Sequence, residues 1–167
     1  MIGATAIEDE LQDEVRETIQ AMRLSGMMFF ILTGDKQETA ETIGRSCGLI
    51  DSGMKTIHIP EYHEENDREW RMEMLKYTNS TYPKVFMLNA EKSIPPDIPL
   101  HSTICFRCTP KNKEEIVRRV KEKTSHLTMA VGDGSNDVNM IKEASVGIGI
   151  KGKEGTEAAR VADFVCG

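Results

Sequence analysis

The sequence predicts an α/β fold with a mostly parallel sheet. Short apolar runs alternate with segments of helical spacing along the chain, and that alternation lays strands side by side through helical crossovers. Two of the runs, residues 27–32 and 127–131, lead straight into turns rich in Thr, Asp and Gly. These are Thr33-Gly34-Asp35 and Gly-Asp-Gly-Ser-Asn-Asp at 132–137. Open α/β sheets bind ligands at the carboxyl ends of their strands, so the same turns that predict the fold mark a candidate site.

Taken in order, residues 8–25 have helical spacing, with Leu11, Val15, Ile19 and Met22 on one face and Gly26 as a stop. Residues 27–32 form a continuous apolar run, as expected of a strand covered on both faces. Residues 36–47 return to helical spacing, with Ala40, Ile43 and Cys47 inward, and Gly48 ends them. Residues 55–59 suit a short strand. The charge-dense segment 61–76 carries Trp70, Met74 and Tyr77 at helical spacing and reads as a solvated helix with one apolar edge. A strand follows at 84–89, then a proline-rich loop at 94–100.

Residues 103–108 form the next strand. Thr109-Pro110 opens a helix, Thr as N-cap and Pro at the first helical position. Glu114–Arg118 and Glu115–Arg119 are pairs on its outer face, and Ile116, Val117 and Val120 face inward. Strands at 127–131, 146–150 and 164–166, separated by helices at 136–144 and 154–162, complete the chain.

At 167 residues the chain suits one domain with a real core. A net charge of −6 argues against nucleic acid as a main partner, and 5% aromatic residues offer no base-stacking platform. No apolar run approaches the roughly 18 residues of a membrane span. Cys105 and Cys108 have CxxC spacing, but residues three apart on a strand point to opposite faces. No second pair completes a zinc site. The four cysteines therefore read as reduced, partly buried thiols.

Three strand ends carry chemistry: Thr33, Gly34 and Asp35; then Arg107, Thr109-Pro110 and Lys113; then Asp133, Asn136 and Asp137. Each piece has a plainer use, Thr33 as a helix cap, Lys113 as a surface charge, Asp137 as a bond within its own loop. In a parallel sheet, however, all three ends lie along one edge, where helix N-termini favour anions. A hydroxyl, backbone N–H groups, a lysine and two carboxylates suffice to hold a phosphoryl group and Mg²⁺.

The strings Leu-Thr-Gly-Asp-Lys-Gln-Glu-Thr-Ala at 32–40 and Gly-Asp-Gly-Ser-Asn-Asp at 132–137 resemble the phosphorylation domain of P-type ATPases, a branch of the haloacid-dehalogenase superfamily. Gly-Ala-Thr-Ala-Ile-Glu-Asp-Glu-Leu-Gln-Asp at 3–13 and Gly-Ile-Gly-Ile-Lys-Gly-Lys-Glu-Gly at 147–155 are similar to the type IV subfamily, the phospholipid flippases. The resemblance spans the chain apart from about 51–101, which it marks as a variable charged insertion in a partial phosphorylation domain, 1–167. It implies a haloacid-dehalogenase-like, Rossmann-like three-layer sandwich.

By the same resemblance, Thr33 and Gly34 would bind phosphoryl oxygens, while Asp35 and Arg107 would lie near the nucleotide. Lys113 would neutralise the phosphoryl charge. Asp133 would ligate Mg²⁺, and Asn136 and Asp137 would complete the site, Asp137 on the metal side as well. The cofactors implied are Mg²⁺ and ATP. The reaction is transfer of the γ-phosphoryl group to an aspartate, followed by hydrolysis of the acyl phosphate. The parent would be an integral membrane protein with this segment in its cytoplasmic part. Its partners would be a phospholipid and an accessory membrane subunit, with no membrane contact by the segment itself.

One departure is large. The nucleophile motif Asp-Lys-Thr-Gly-Thr is absent, and Asp9, Asp13, Asp51, Asp67, Asp97 and Asp163 lie outside any such context. The chain therefore reads as a piece of a phosphorylation domain that does not turn over alone. The competing readings are a soluble phosphatase of the superfamily and a non-catalytic ATPase-like module of a larger protein. The family's aspartate strand would run between the strands ending at Thr33 and Val131. Without it, those strands are expected to pair directly, in preference to a slot filled by 55–59 or the N-terminal residues, or by a second copy.

Overall fold

The computed structural model describes residues 11–152 and 155–167. Its elements are α1 (Val15–Leu24), β1 (Phe30–Leu32), α2 (Gln37–Ser46), β2 (Lys55–His58), α3 (Asp67–Thr78), β3 (Lys84–Asn89), β4 (Thr103–Phe106), α4 (Pro110–Lys123), β5 (Met129–Gly132), α5 (Val138–Glu143), β6 (Val146–Ile150), α6 (Glu157–Val161) and β7 (Phe164–Cys166). Two single 3₁₀ turns, Glu64–Asn66 and Ser135–Asp137, lead into α3 and α5. The flippase-like string at 3–13 lies mostly outside the described residues, as does the start of the predicted first helix.

All strand pairs are parallel, as the alternation of elements requires. They form two sheets, ordered β1-β4-β3-β2 and β5-β6-β7. The first is a three-layer sandwich whose layers follow the two-residue period of its strands. Phe86, Leu88 and Cys105 face a core completed by Trp70 and Met74 of α3 and Ile116 and Val120 of α4. Val85, Met87, Ile104 and Phe106 face the opposite core, completed by Ala40 of α2 and edged by Val15 and Ile19 of α1. Gly44 lets α2 lie close on β4, because a Cβ there would sit 2.4 Å from Ile104 Cδ1. Residues 51–101 are woven into this sheet: they supply β2 at its edge and β3, whose four central residues are buried.

Among the described residues the second sheet is covered on one face only. Ala130, Met140, Ile141 and Ala158 form its small core under α5 and α6. On the other face Met129 is 64%, Val131 49% and Phe164 62% exposed. In register, Val131, Ile148 and Phe164 make one row across the three strands.

The expected direct pairing of the strands ending at Thr33 and Val131 does not occur. Strand β1 pairs with β4 and β5 with β6, and β2 sits at the far edge beside β3. Among the described residues no strand is hydrogen-bonded to the free edge of either. Side chains, not backbone bonds, bridge the two sheets: Val117 of α4 and Leu32 of β1 pack against the small core of the second. Among the described residues the two sheets are joined mainly through their helices, α4 against α5, and not strand to strand. β1 is also only half-buried, where the apolar run predicted cover on both faces.

The two cysteines expected on opposite faces share one core. The strand ends at Phe106, and Arg107 turns the chain with φ 57°. Strand alternation therefore stops before Cys108.

Candidate functional site

Three turns meet at the carboxyl ends of β1, β4 and β5. The first two are laced together by backbone bonds. Thr33 N–H donates to the Cys105 carbonyl at 3.0 Å, Cys108 N–H to the Thr33 carbonyl at 2.9 Å, and Arg107 N–H to the Asp35 carbonyl at 2.9 Å. Arg107 has φ 57°, a left-handed conformation uncommon for a residue with a side chain, and it leaves that side chain exposed. Thr33 and Asp35 form a local turn in which the Thr33 hydroxyl donates to Asp35 Oδ2 at 2.7 Å. The same hydroxyl accepts from the Asp35 N–H at 3.1 Å.

Lys113 owes its place to the start of α4. Thr109 Oγ1 accepts from Asn112 N–H at 3.2 Å, and Asn112 Oδ1 accepts from Thr109 N–H at 2.9 Å, a reciprocal cap with Pro110 in the first turn. The cap sets the phase of the helix, so that Lys113, one turn in, faces inward and is 7% exposed. A buried ammonium needs an opposite charge. Asp137, 5% exposed, supplies it with Oδ1 at 2.7 Å from Nζ. The Asp137 side chain folds back over the end of β5, and Gly132 makes room: a Cβ there would lie 2.4 Å from Asp137 Cβ.

Asp133, Asn136, Gly34 and Asp35 are exposed on this edge. The two acidic groups of the β5 turn are therefore unlike. Asp137 is committed to Lys113, whereas Asp133 offers its carboxylate to solvent. Among the described residues no cluster of three or more His, Cys, Asp or Glu could enclose a metal.

Beneath the loops lies a group that sequence reasoning set aside. The Cys108 thiol is buried, and burial pushes its pKa up to about 12, although the Lys113 charge and the Thr33 backbone pull it down. It is a neutral filler against the lysine. Its position directly before Thr109-Pro110 was the available signal. Two hollows, of about 600 and 370 Å³, run along α3 and touch none of these residues. The strand-end site is an open rim.

No family model matches the chain. Among curated proteins it is similar to Phospholipid-transporting ATPase DRS2 of Saccharomyces cerevisiae, 38% identical over 186 residues that cover 100% of this chain and 14% of that protein. Phospholipid-transporting ATPase C887.12 of Schizosaccharomyces pombe is 39% identical, over 98% of this chain and 14% of that protein. Phospholipid-transporting ATPase IG of Homo sapiens is 37% identical, over 98% of this chain and 18% of that protein. The chain thus spans between 14% and 18% of the length of these relatives.

Proposed function

Since the chain belongs to the type IV phospholipid-transporting P-type ATPases, we propose that it forms the Mg²⁺- and phosphate-binding half of such an enzyme's phosphorylation site. The observation that carries this reading is the buried Lys113–Asp137 pair at 2.7 Å, set on the edge where Thr33 and Asp133 also end their strands. A cation held at that depth by one carboxylate suits an anionic ligand better than it suits the surface role a lone lysine usually has.

In this reading Thr33 and Gly34 hold the phosphoryl oxygens through a hydroxyl and backbone N–H. Lys113 brings fixed positive charge to the phosphoryl group. Asp137 keeps that ammonium in one orientation and is a positioning residue more than a metal ligand. Asp133 is the carboxylate for Mg²⁺, which when bound neutralises phosphate charge. Asp35, Arg107 and Asn136 line the nucleotide side of the rim. The nucleophilic aspartate would come from an Asp-Lys-Thr-Gly-Thr motif outside this sequence, so the chain by itself forms no acyl phosphate.

The parent reaction would be ATP-driven translocation of a phospholipid. The segment would sit on the cytoplasmic side of an integral membrane protein that works with an accessory membrane subunit. Among the described residues no helix is long and apolar enough to cross a membrane. Residues 51–101 would be a charged, variable part of the phosphorylation domain that nonetheless supplies two strands of its sheet. The reading is tested in the longer protein that carries this segment. Asp133→Asn and Lys113→Met should each abolish acyl phosphate formed from ATP; retention of phosphorylation in both would refute it.

A further inference from the structure

The backbone at Thr33 is held from both sides. Its N–H and carbonyl are bonded to Cys105 and Cys108 at 3.0 and 2.9 Å, and Asp35 is tied to Arg107 at 2.9 Å. The left-handed Arg107, φ 57°, is kept there by that clasp. What stays adjustable is the Thr33 side chain. Its hydroxyl is half-accessible and donates to the exposed Asp35 carboxylate at 2.7 Å. A hydroxyl carries one proton, so a proton given to Asp35 is not available to a ligand oxygen. A bond to a carboxylate is also stronger than one to a neutral acceptor.

We propose that the Thr33 hydroxyl is a two-position donor and that Asp35 is the positioning residue that holds it in reserve. With no phosphoryl group at the strand ends, the hydroxyl is donated to Asp35. An arriving phosphoryl oxygen takes that donor over, and on release the hydroxyl returns to Asp35, so neither state leaves it unpaired. This deepens the reading above and rests on it, since it requires a phosphoryl oxygen to bind at Thr33. Asp35 thereby lowers phosphate affinity in two separable ways, through its charge and through competition for the donor.

The separation defines the experiment. Inorganic phosphate with Mg²⁺ is titrated by ³¹P line broadening into the native chain, Asp35→Asn and Asp35→Ala, each with and without Thr33→Val. Both positions are on the open rim, so the fold should survive. Asparagine keeps an acceptor oxygen and drops the charge. Thr33→Val should weaken phosphate less than about twofold in the native background, where the hydroxyl gives up its bond to the carboxylate as it takes one to phosphate, and by an intermediate factor in Asp35→Asn, whose neutral amide oxygen is the weaker competitor. It should weaken phosphate about tenfold in Asp35→Ala, where the donor is free. An equal factor in all three backgrounds would overturn the competition and leave the phosphate site standing, because phosphate still binds. Absence of phosphate binding in every protein would overturn both. Three-bond couplings at Thr33 give an independent readout: the side-chain rotamer should change on saturation with phosphate, and an unchanged rotamer contradicts the proposal.

Discussion

Lys113 Nζ and Asp137 Oδ1 lie 2.7 Å apart, with only 9% and 8% of their side chains exposed. The pair joins the first turn of α4, which covers the first sheet, to the entry of α5, which covers the second. It is thus both the most deeply placed charge pair of the candidate site and a strut between the two sheets. Removing one partner strands a charge in the interior, which costs about 3–5 kcal/mol. Asp137→Ala should lower the urea stability of the chain by that amount. Lys113→Met combined with Asp137→Leu should lose less than either single change. A single-mutant loss below about 1 kcal/mol would place the pair with weak surface bridges.

Mg²⁺ should bind weakly, mostly through water, at Asp133 and not at Asp137, whose Oδ1 is taken by Lys113. Amide shifts over residues 132–137 should titrate with Mg²⁺ in the native chain and stay still in Asp133→Asn. Equal titration in both would remove Asp133 from the metal site.

Thiol reactivity tests the core. Cys47, Cys105 and Cys108 are buried and Cys166 is exposed. Burial raises the pKa of Cys105 and pushes that of Cys108 up to about 12, so at about pH 8 only about one Cys108 in ten thousand is thiolate. Iodoacetamide should label Cys166 first, with Cys105 and Cys108 labelled only on unfolding, as mass spectrometry of the peptides would show. Early labelling of Cys108 would mean that the loop under Thr33 opens readily.

His101 gives a pH dependence of known sign. Its ring lies against Phe86, centroids 5.6 Å apart, and burial followed by the Lys84 and Lys123 charges holds its pKa below the usual 6.5. The folded chain then binds fewer protons than the unfolded one. The stability this confers is complete above the unfolded pKa near 6.5 and is lost as pH falls through that value toward the lower folded one. Between about pH 7 and about pH 5, His101→Gln should lose less urea stability than the native chain. Parallel pH profiles would contradict this.

What the sequence disclosed follows from the range of each interaction. The bounds of β3 and β6 and the start of α4 at Thr109-Pro110 depend on patterns a few residues long, and the structure has them as expected. So were the Glu114–Arg118 and Glu115–Arg119 pairs. The Thr33–Asp35 bond, two residues in span, was within reach of the same reasoning as a local side-chain turn. The Lys113–Asp137 bond was not, because it joins residues 24 apart on separate elements, and taken singly each residue had a plainer use. The shared core of Cys105 and Cys108 depends on one left-handed residue, Arg107, which no period marks. The split into two sheets falls between β1 and β5, where the family's aspartate strand would run; that the two strands stay unpaired there, and do not close on each other, is what strand patterns did not show.

Phosphoryl transfer decides whether this chain holds half of a phosphorylation site. The most direct test is transfer of ³²P from γ-labelled ATP with Mg²⁺, read as acid-stable, hydroxylamine-sensitive label, on the chain alone and on the same chain joined to the upstream segment of a relative that carries the Asp-Lys-Thr-Gly-Thr motif. No label is expected on the chain alone, and label on the joined protein should disappear in Asp133→Asn. Robust labelling of the chain alone, or labelling of the joined protein that is indifferent to Asp133→Asn, would contradict this.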